Sequence, residues 1–136
     1  MIVTDEEDLT AEVGRLTASK GVRLIFDPVA GPYIEPLSEC LSEEGTLIIY
    51  GGLANQPGPF PRQLAIRKNL TLRGYNFFPL LGEPVRFGRA FDYIFERVRN
   101  GRFDMPIAHR FPLTSVAEAH TRLEENRHIG KIILEP

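Results

Sequence analysis

Two short, almost unbroken apolar runs constrain this chain more than any other feature: Val22 to Asp27, which stops at Asp27-Pro28, and Thr46 to Tyr50, which stops at Gly51-Gly52. A strand that faces water on one side alternates apolar with polar residues. A strand buried on both faces does not, and such strands belong to parallel sheets. The segment between the runs has helical spacing, with Ile34, Leu37 and Leu41 on one face and Cys40 beside them. Gly31-Pro32 opens it, Glu44-Gly45 closes it, and Pro36 predicts a delayed or irregular first turn. Strand, helix and strand joined by short Gly and Pro punctuation predict a parallel crossover in an open α/β sheet.

The pattern extends to both sides. Ile2-Val3-Thr4 reads as a short strand, and Thr4 with Glu7 forms a capping-box pattern. That box would open a helix with Leu9, Val13 and Leu16 on one face, ended by Lys20-Gly21. After Gly51-Gly52 comes a loop with Pro57, Pro59 and Pro61, then a short helical stretch through Arg67 and a strand-like Leu70 to Tyr75. Pro84 suits a helix start, and Phe87, Phe91, Ile94, Phe95 and Val98 form a wide apolar stripe ending at Asn100-Gly101. Ile107 to Phe111 reads as a strand. Ser115 and Glu118 form a second capping box before Val116, Ala119 and Leu123, and Gly130 precedes a terminal strand from Lys131 to Leu134.

Composition narrows the partners. A formal charge of −2, with both signs spread along 136 residues, supplies no field to gather nucleic acid or an anionic lipid surface. The single Cys40 cannot close an internal disulfide, and Met1 to Glu7 lacks a basic, then apolar leader pattern, so the expected compartment is a reducing cytoplasm. His109, His120 and His128 are not spaced as a common zinc site, so no metal is expected. No catalytic nucleophile is expected either, because Ser38-Glu39-Cys40 falls inside an amphipathic helix rather than on an elbow-like turn. Arg97, Arg99 and Arg102 read as the wet face of the Phe-rich helix.

In a doubly wound sheet, ligands sit beyond the carboxyl ends of the strands. The segments to inspect are therefore Asp27-Pro28-Val29-Ala30-Gly31 and Tyr50-Gly51-Gly52-Leu53, where glycine lets a flat ligand approach the backbone. On the residues alone, two ordinary turns explain them equally well.

The order of the pieces adds a resemblance. Phe26 to Gly31, Gly45 to Gly52 and Leu70 to Tyr75 resemble the later cofactor-domain strands of the medium-chain dehydrogenase/reductase superfamily. Phe111-Pro112-Leu113, Glu118-Ala119-His120 and Gly130 to Leu134 resemble its C-terminal return segment, with the quinone oxidoreductase branch nearer than the classical zinc alcohol dehydrogenases. The resemblance implies an α/β fold, a partial Rossmann-like doubly wound parallel sheet lacking the first two strands. It implies a partial nucleotide-binding domain over 1–104 and a return segment over 105–136, behaving as one compact unit.

For the site, the resemblance places Val29, Ala30 and Gly31 near the adenosine or ribose side of NADP or NAD, and Tyr50, Gly51, Gly52 and Leu53 along its nicotinamide half. Asn76, Phe77 and Phe78 would wall the nicotinamide and substrate pocket, core packing being the alternative for the Phe pair, and Gly130 and Lys131 would close back toward the cofactor. No G-x-G-x-x-G occurs to cradle a pyrophosphate. The expectation is therefore a fragment of an NAD(P)H-dependent oxidoreductase, inactive and without bound dinucleotide when alone, or else a non-catalytic dimerisation module. The apolar edge Val22 to Asp27 would recruit a strand, Ile2-Val3-Thr4 of the same or a second copy, or the Leu70 to Tyr75 edges would pair across a two-fold axis. Either arrangement predicts a homodimer, unless a separately supplied N-terminal half takes the place; neither nucleic acid nor membrane is expected as a partner.

Overall fold

The computed structural model describes residues 2–4 and 6–136. They divide into two compact units, Met1–Pro79 and Leu80–Pro136, each with a sheet of its own. The division falls earlier than residue 104, and there are two units where one was expected.

The first unit is the parallel sheet. Strand β1 (Val22–Asp27) pairs with β2 (Leu41–Ile49), and β2 with β3 (Thr71–Gly74), all parallel and in the order β1-β2-β3. Helix α1 (Leu9–Leu16) precedes β1, a 3-10 turn (Gly31–Tyr33) leads into α2 (Ile34–Cys40), and α3 (Arg62–Lys68) joins β2 to β3. The 3-10 turn is the irregular start that Pro36 predicts.

The pairing register sorts the side chains onto two faces. Ile25, Leu47 and Leu72 share one face, and Leu47 there is 0% exposed. Helices α2 and α3 contact β2, and α1 packs on α2, so this is the helix-covered face. Phe26, Ile48 and Arg73 lie abreast on the other, with Leu24 two residues behind Phe26. Phe26 is 61% exposed, and Leu24, Tyr50 and Tyr75 are exposed as well. Within the first unit, helices therefore cover each buried-looking run on one side only.

Several local expectations are corrected. Ile2 and Val3 are not in a strand and Thr4 lies in a turn, while Met1 and Asp5 fall outside the described residues. Thr4 does not cap α1. Asp8 does, accepting from the Ala11 N–H at 2.9 Å, because its carboxylate immediately precedes the first core-facing residue, Leu9. Glu7 instead receives the Val3 N–H at 2.7 Å. Helix α1 stops at Leu16 rather than at Lys20-Gly21, with Ala18 and Ser19 both at positive φ. Helix α2 also stops early, at Cys40, and Leu41 begins β2, with a register shift over residues 42–45 and Glu44 at φ 55. The end is held locally by the Leu41 N–H, which donates to the Ser38 carbonyl, and at long range by the Lys68 ammonium, which donates to the carbonyls of Glu39 and Leu41, both at 2.7 Å.

In the second unit, β4 (Ile107–Pro112) and β5 (Lys131–Glu135) pair in parallel, and α6 (Val116–Glu124) crosses between them with Ala119 buried. Ser115 occupies the position before α6 but its side chain caps nothing, because a 3-10 turn (Leu113–Ser115) already feeds the helix. After a single turn, α4 (Phe78–Leu81), comes α5 (Pro84–Arg99), whose ends agree with the sequence reading. Its Phe91 ring lies 4.3 Å from Phe95 and 5.9 Å from Phe87, and the stripe stays about half exposed. The Arg97 guanidinium sits 3.2 Å from the centre of the Tyr93 ring.

Candidate functional site

The carboxyl ends of β1 and β2 carry two loops that are tied to each other. Tyr50 N–H donates to the Asp27 carbonyl at 3.0 Å, Leu53 N–H to the Pro28 carbonyl at 3.1 Å, and Ala54 N–H to the Val29 carbonyl at 3.0 Å. A side chain on Gly51 would place Cβ 2.5 Å from the Pro28 carbonyl oxygen, and one on Gly58 would meet the Gly31 carbonyl at 2.0 Å. These glycines exist because backbone passes backbone there. Gly52 is different. Nothing lies within 4 Å of where its Cβ would be, and its φ is not in the left-handed region. Internal packing gives no reason for a glycine at that position.

The sequence therefore brings Val29, Ala30 and Gly31 together with Tyr50, Gly51, Gly52 and Leu53 as one rim. Leu53 and Tyr50 are exposed on it. Asn76 follows β3, and its side-chain carbonyl accepts from the Phe78 N–H at 3.0 Å. That bond orders the turn carrying Phe77 and Phe78, whose rings are 5.1 Å apart and exposed. Core packing within the first unit does not account for this pair.

Gly130 and Lys131 belong to the second unit. Gly130 has φ 116, and a Cβ would stand 2.3 Å from the Pro106 carbonyl oxygen, which accepts the Lys131 N–H at 2.8 Å. Pairing of β5 beside β4 is sufficient reason for that glycine.

The sequence reading took Asp27 as the end of a strand and the first residue of a segment to inspect, and gave its side chain no role. Its carboxylate is in fact buried beneath the rim and accepts from the Val29 and Ala30 N–H groups. An acid closing an apolar strand is the sequence signal that could have pointed to it.

Other sites carry less chemistry. A hollow of about 540 Å³ beside Thr10, Cys40 and Lys68 opens at the amino ends of the strands, away from the ligand-binding end of a parallel sheet. Burial pushes the Cys40 thiol above its ordinary pKa, and a buried thiol on a short helix is a packing residue rather than a nucleophile. Ser38 spends its hydroxyl on the Ile34 carbonyl at 2.7 Å. His109 and His128 stand edge to face with ring centres 6.3 Å apart, and His120 is exposed on α6. No group of three or more His, Cys, Asp and Glu that could hold a metal exists among the described residues. No helix among them is long and apolar enough to cross a membrane.

Comparison with known proteins gives one consistent result. A family model described as a zinc-binding dehydrogenase matches residues 2–134. The chain is 24% identical over 132 residues to the 2-haloacrylate reductase of a Burkholderia species, covering 96% of this chain and 40% of that protein. It is 27% identical over 117 residues to the mitochondrial enoyl-[acyl-carrier-protein] reductase of Dictyostelium discoideum, covering 83% of this chain and 33% of that protein. Among solved structures, the quinone oxidoreductase of Pseudomonas syringae superposes with a TM-score of 0.85 at 18% identity, covering 99% of this chain and 42% of that one. A mycobacterial protein solved in complex with NADPH superposes with a TM-score of 0.79 at 22% identity, covering 93% and 40%. The structural likenesses establish a partial Rossmann-like fold. The chain spans about two fifths or less of the length of these relatives.

Proposed function

The chain belongs to the zinc-binding dehydrogenase family, and we propose that it forms the nicotinamide-side part of the cofactor sheet of an NAD(P)H-dependent reductase acting on a quinone or an enone. The observation that carries this reading is Gly52, a glycine at the carboxyl end of a central parallel strand that neither φ nor packing demands. A flat ligand lying on the backbone would demand it. Gly51 fixes the rim against Pro28, Val29 to Gly31 line its ribose side, and Tyr50 to Leu53 line its nicotinamide side. Asn76 holds Phe77 and Phe78 as an apolar wall that keeps water from the reacting ring.

A bound nicotinamide would supply the hydride; the chain supplies orientation and shape. Zinc does not fit this chain, since His109 and His128 have no third ligand among the described residues. The residues present have no glycine-rich pyrophosphate cradle, so we expect neither tight dinucleotide binding nor turnover by this chain alone. A chimera in which this chain replaces the matching portion of the Burkholderia 2-haloacrylate reductase tests the reading. It should oxidise NADPH with an enone or quinone acceptor, and Gly52→Val should abolish this without lowering thermal stability. A folded chimera that binds no NADPH, or is indifferent to Gly52→Val, refutes it.

A second reading is supported by the uncovered sheet face and the unpaired edge of β1: association through sheet edges into a homodimer, or with a separately supplied half. Light scattering that shows a monomer at high concentration counts against the homodimer.

A further inference from the structure

Asp27 is 3% exposed, and no ion pair engages it among the described residues. A carboxylate is costly to bury unless hydrogen bonds replace its water. Here they come from the adjoining loop, the Val29 N–H at 2.8 Å and the Ala30 N–H at 3.1 and 3.0 Å to the two oxygens. The loop so held is strained. Ala30 has φ 58 and ψ −146, a conformation open essentially to glycine alone, and Gly31 follows at φ 60. Residues 28 and 29, pinned between Asp27 and this turn, present their carbonyls to Leu53 and Ala54 of the neighbouring loop. Gly52 sits immediately before those two reporters.

We propose that Asp27 is the positioning residue of the rim: its carboxylate holds Ala30 in its strained positive-φ turn, which seats the Leu53 and Ala54 N–H groups and fixes the attitude of Gly52. What the rim binds rests on the function proposed above; its mechanics do not. A carboxylate suits the role because it offers acceptors alone to two converging donors. The isosteric amide would set an NH2 group against one of them.

The test is site-resolved amide hydrogen exchange on the full chain. Asp27→Asn, which conserves volume, should speed exchange at Leu53 and Ala54 by about tenfold or more, as expected for loss of hydrogen bonds to a charged group. The Leu47 and Ile133 amides should keep their rates. Adding Ala30→Gly should restore much of the protection, because glycine holds that backbone without help from the carboxylate. Unchanged rates at Leu53 and Ala54 overturn the proposal, as does a uniform rise throughout the first unit or no rescue by Ala30→Gly. In the chimera, Asp27→Asn should raise the KM for NADPH while sparing kcat. If the chimera with Asp27 intact ignores NADPH while the exchange pattern holds, the cofactor reading fails and the positioning role stands.

Discussion

Two truncations on opposite faces of the same pair of strands, Leu47→Ala and Phe26→Ala, should differ several-fold in cost. Leu47 is 0% exposed under the helices, so its truncation removes a fully buried isobutyl group and leaves a cavity in a site walled by strands and helices. Leu→Ala changes of that kind cost about 3 kcal/mol or more. Phe26 is the larger residue but is 61% exposed on the face without helices. Cutting it to alanine removes roughly 40 Å² of buried apolar surface and leaves no enclosed cavity, about 1 kcal/mol at ~25 cal/mol/Å². Urea denaturation of the two variants at micromolar concentration measures the difference. Equal losses would refute the one-sided sheet. Repeating the Phe26→Ala measurement at increasing protein concentration adds a second readout: if association covers that face, its cost grows with concentration and that of Leu47→Ala does not.

Lys68→Met removes a donor that helps to hold the end of α2 and takes one partner from each of the Glu39 and Leu41 carbonyls; chemical denaturation should show a loss of about 1 kcal/mol. Gly130→Ala should break the β4–β5 pairing, seen as loss of protection at the Lys131 amide, because the new methyl meets the Pro106 carbonyl at φ 116. The Cys40 thiol, raised by burial, holds its proton more tightly folded than unfolded. Its contribution to stability is complete below the ordinary thiol pKa and is lost as pH rises toward the folded value. Cys40→Ala should therefore flatten the alkaline limb of the stability profile, measured as the denaturation midpoint between pH 7 and 10.

The strands were legible because their signal is local: Val22 to Asp27 and the core of β2 declare themselves by composition, and the parallel pairing follows from what must join them. The ends of α1 and α2 were not. The end of α2 is held in part by Lys68, nearly thirty residues away, and a strand start at Leu41 has no local marker when that residue also fits a helical stripe. Both capping boxes misled because a pattern of Ser or Thr with Glu three residues on does not say whether a better acceptor, here Asp8, or a preceding 3-10 turn stands nearer the first core residue. The site was legible as a place, since parallel strands fix where their loops gather. The difference between Gly51 and Gly52 was hidden: adjacent identical residues, one required by a neighbouring carbonyl and one facing open space.

The size of the uncovered face limits how the association proposed above would satisfy it. A parallel sheet is stable when both faces are covered, and here Leu24, Phe26, Ile48, Tyr50 and Tyr75 form an apolar surface with Arg73 set among them. Two copies packed face to face would each bury on the order of 200 Å² over three strands spaced ~4.8 Å apart. A stable interface needs nearer 800 Å² a side. Face-to-face pairing alone is thus too small, whereas a partner that adds a strand beside β1 and lays a helix over Phe26 would satisfy the bare edge and the bare face together.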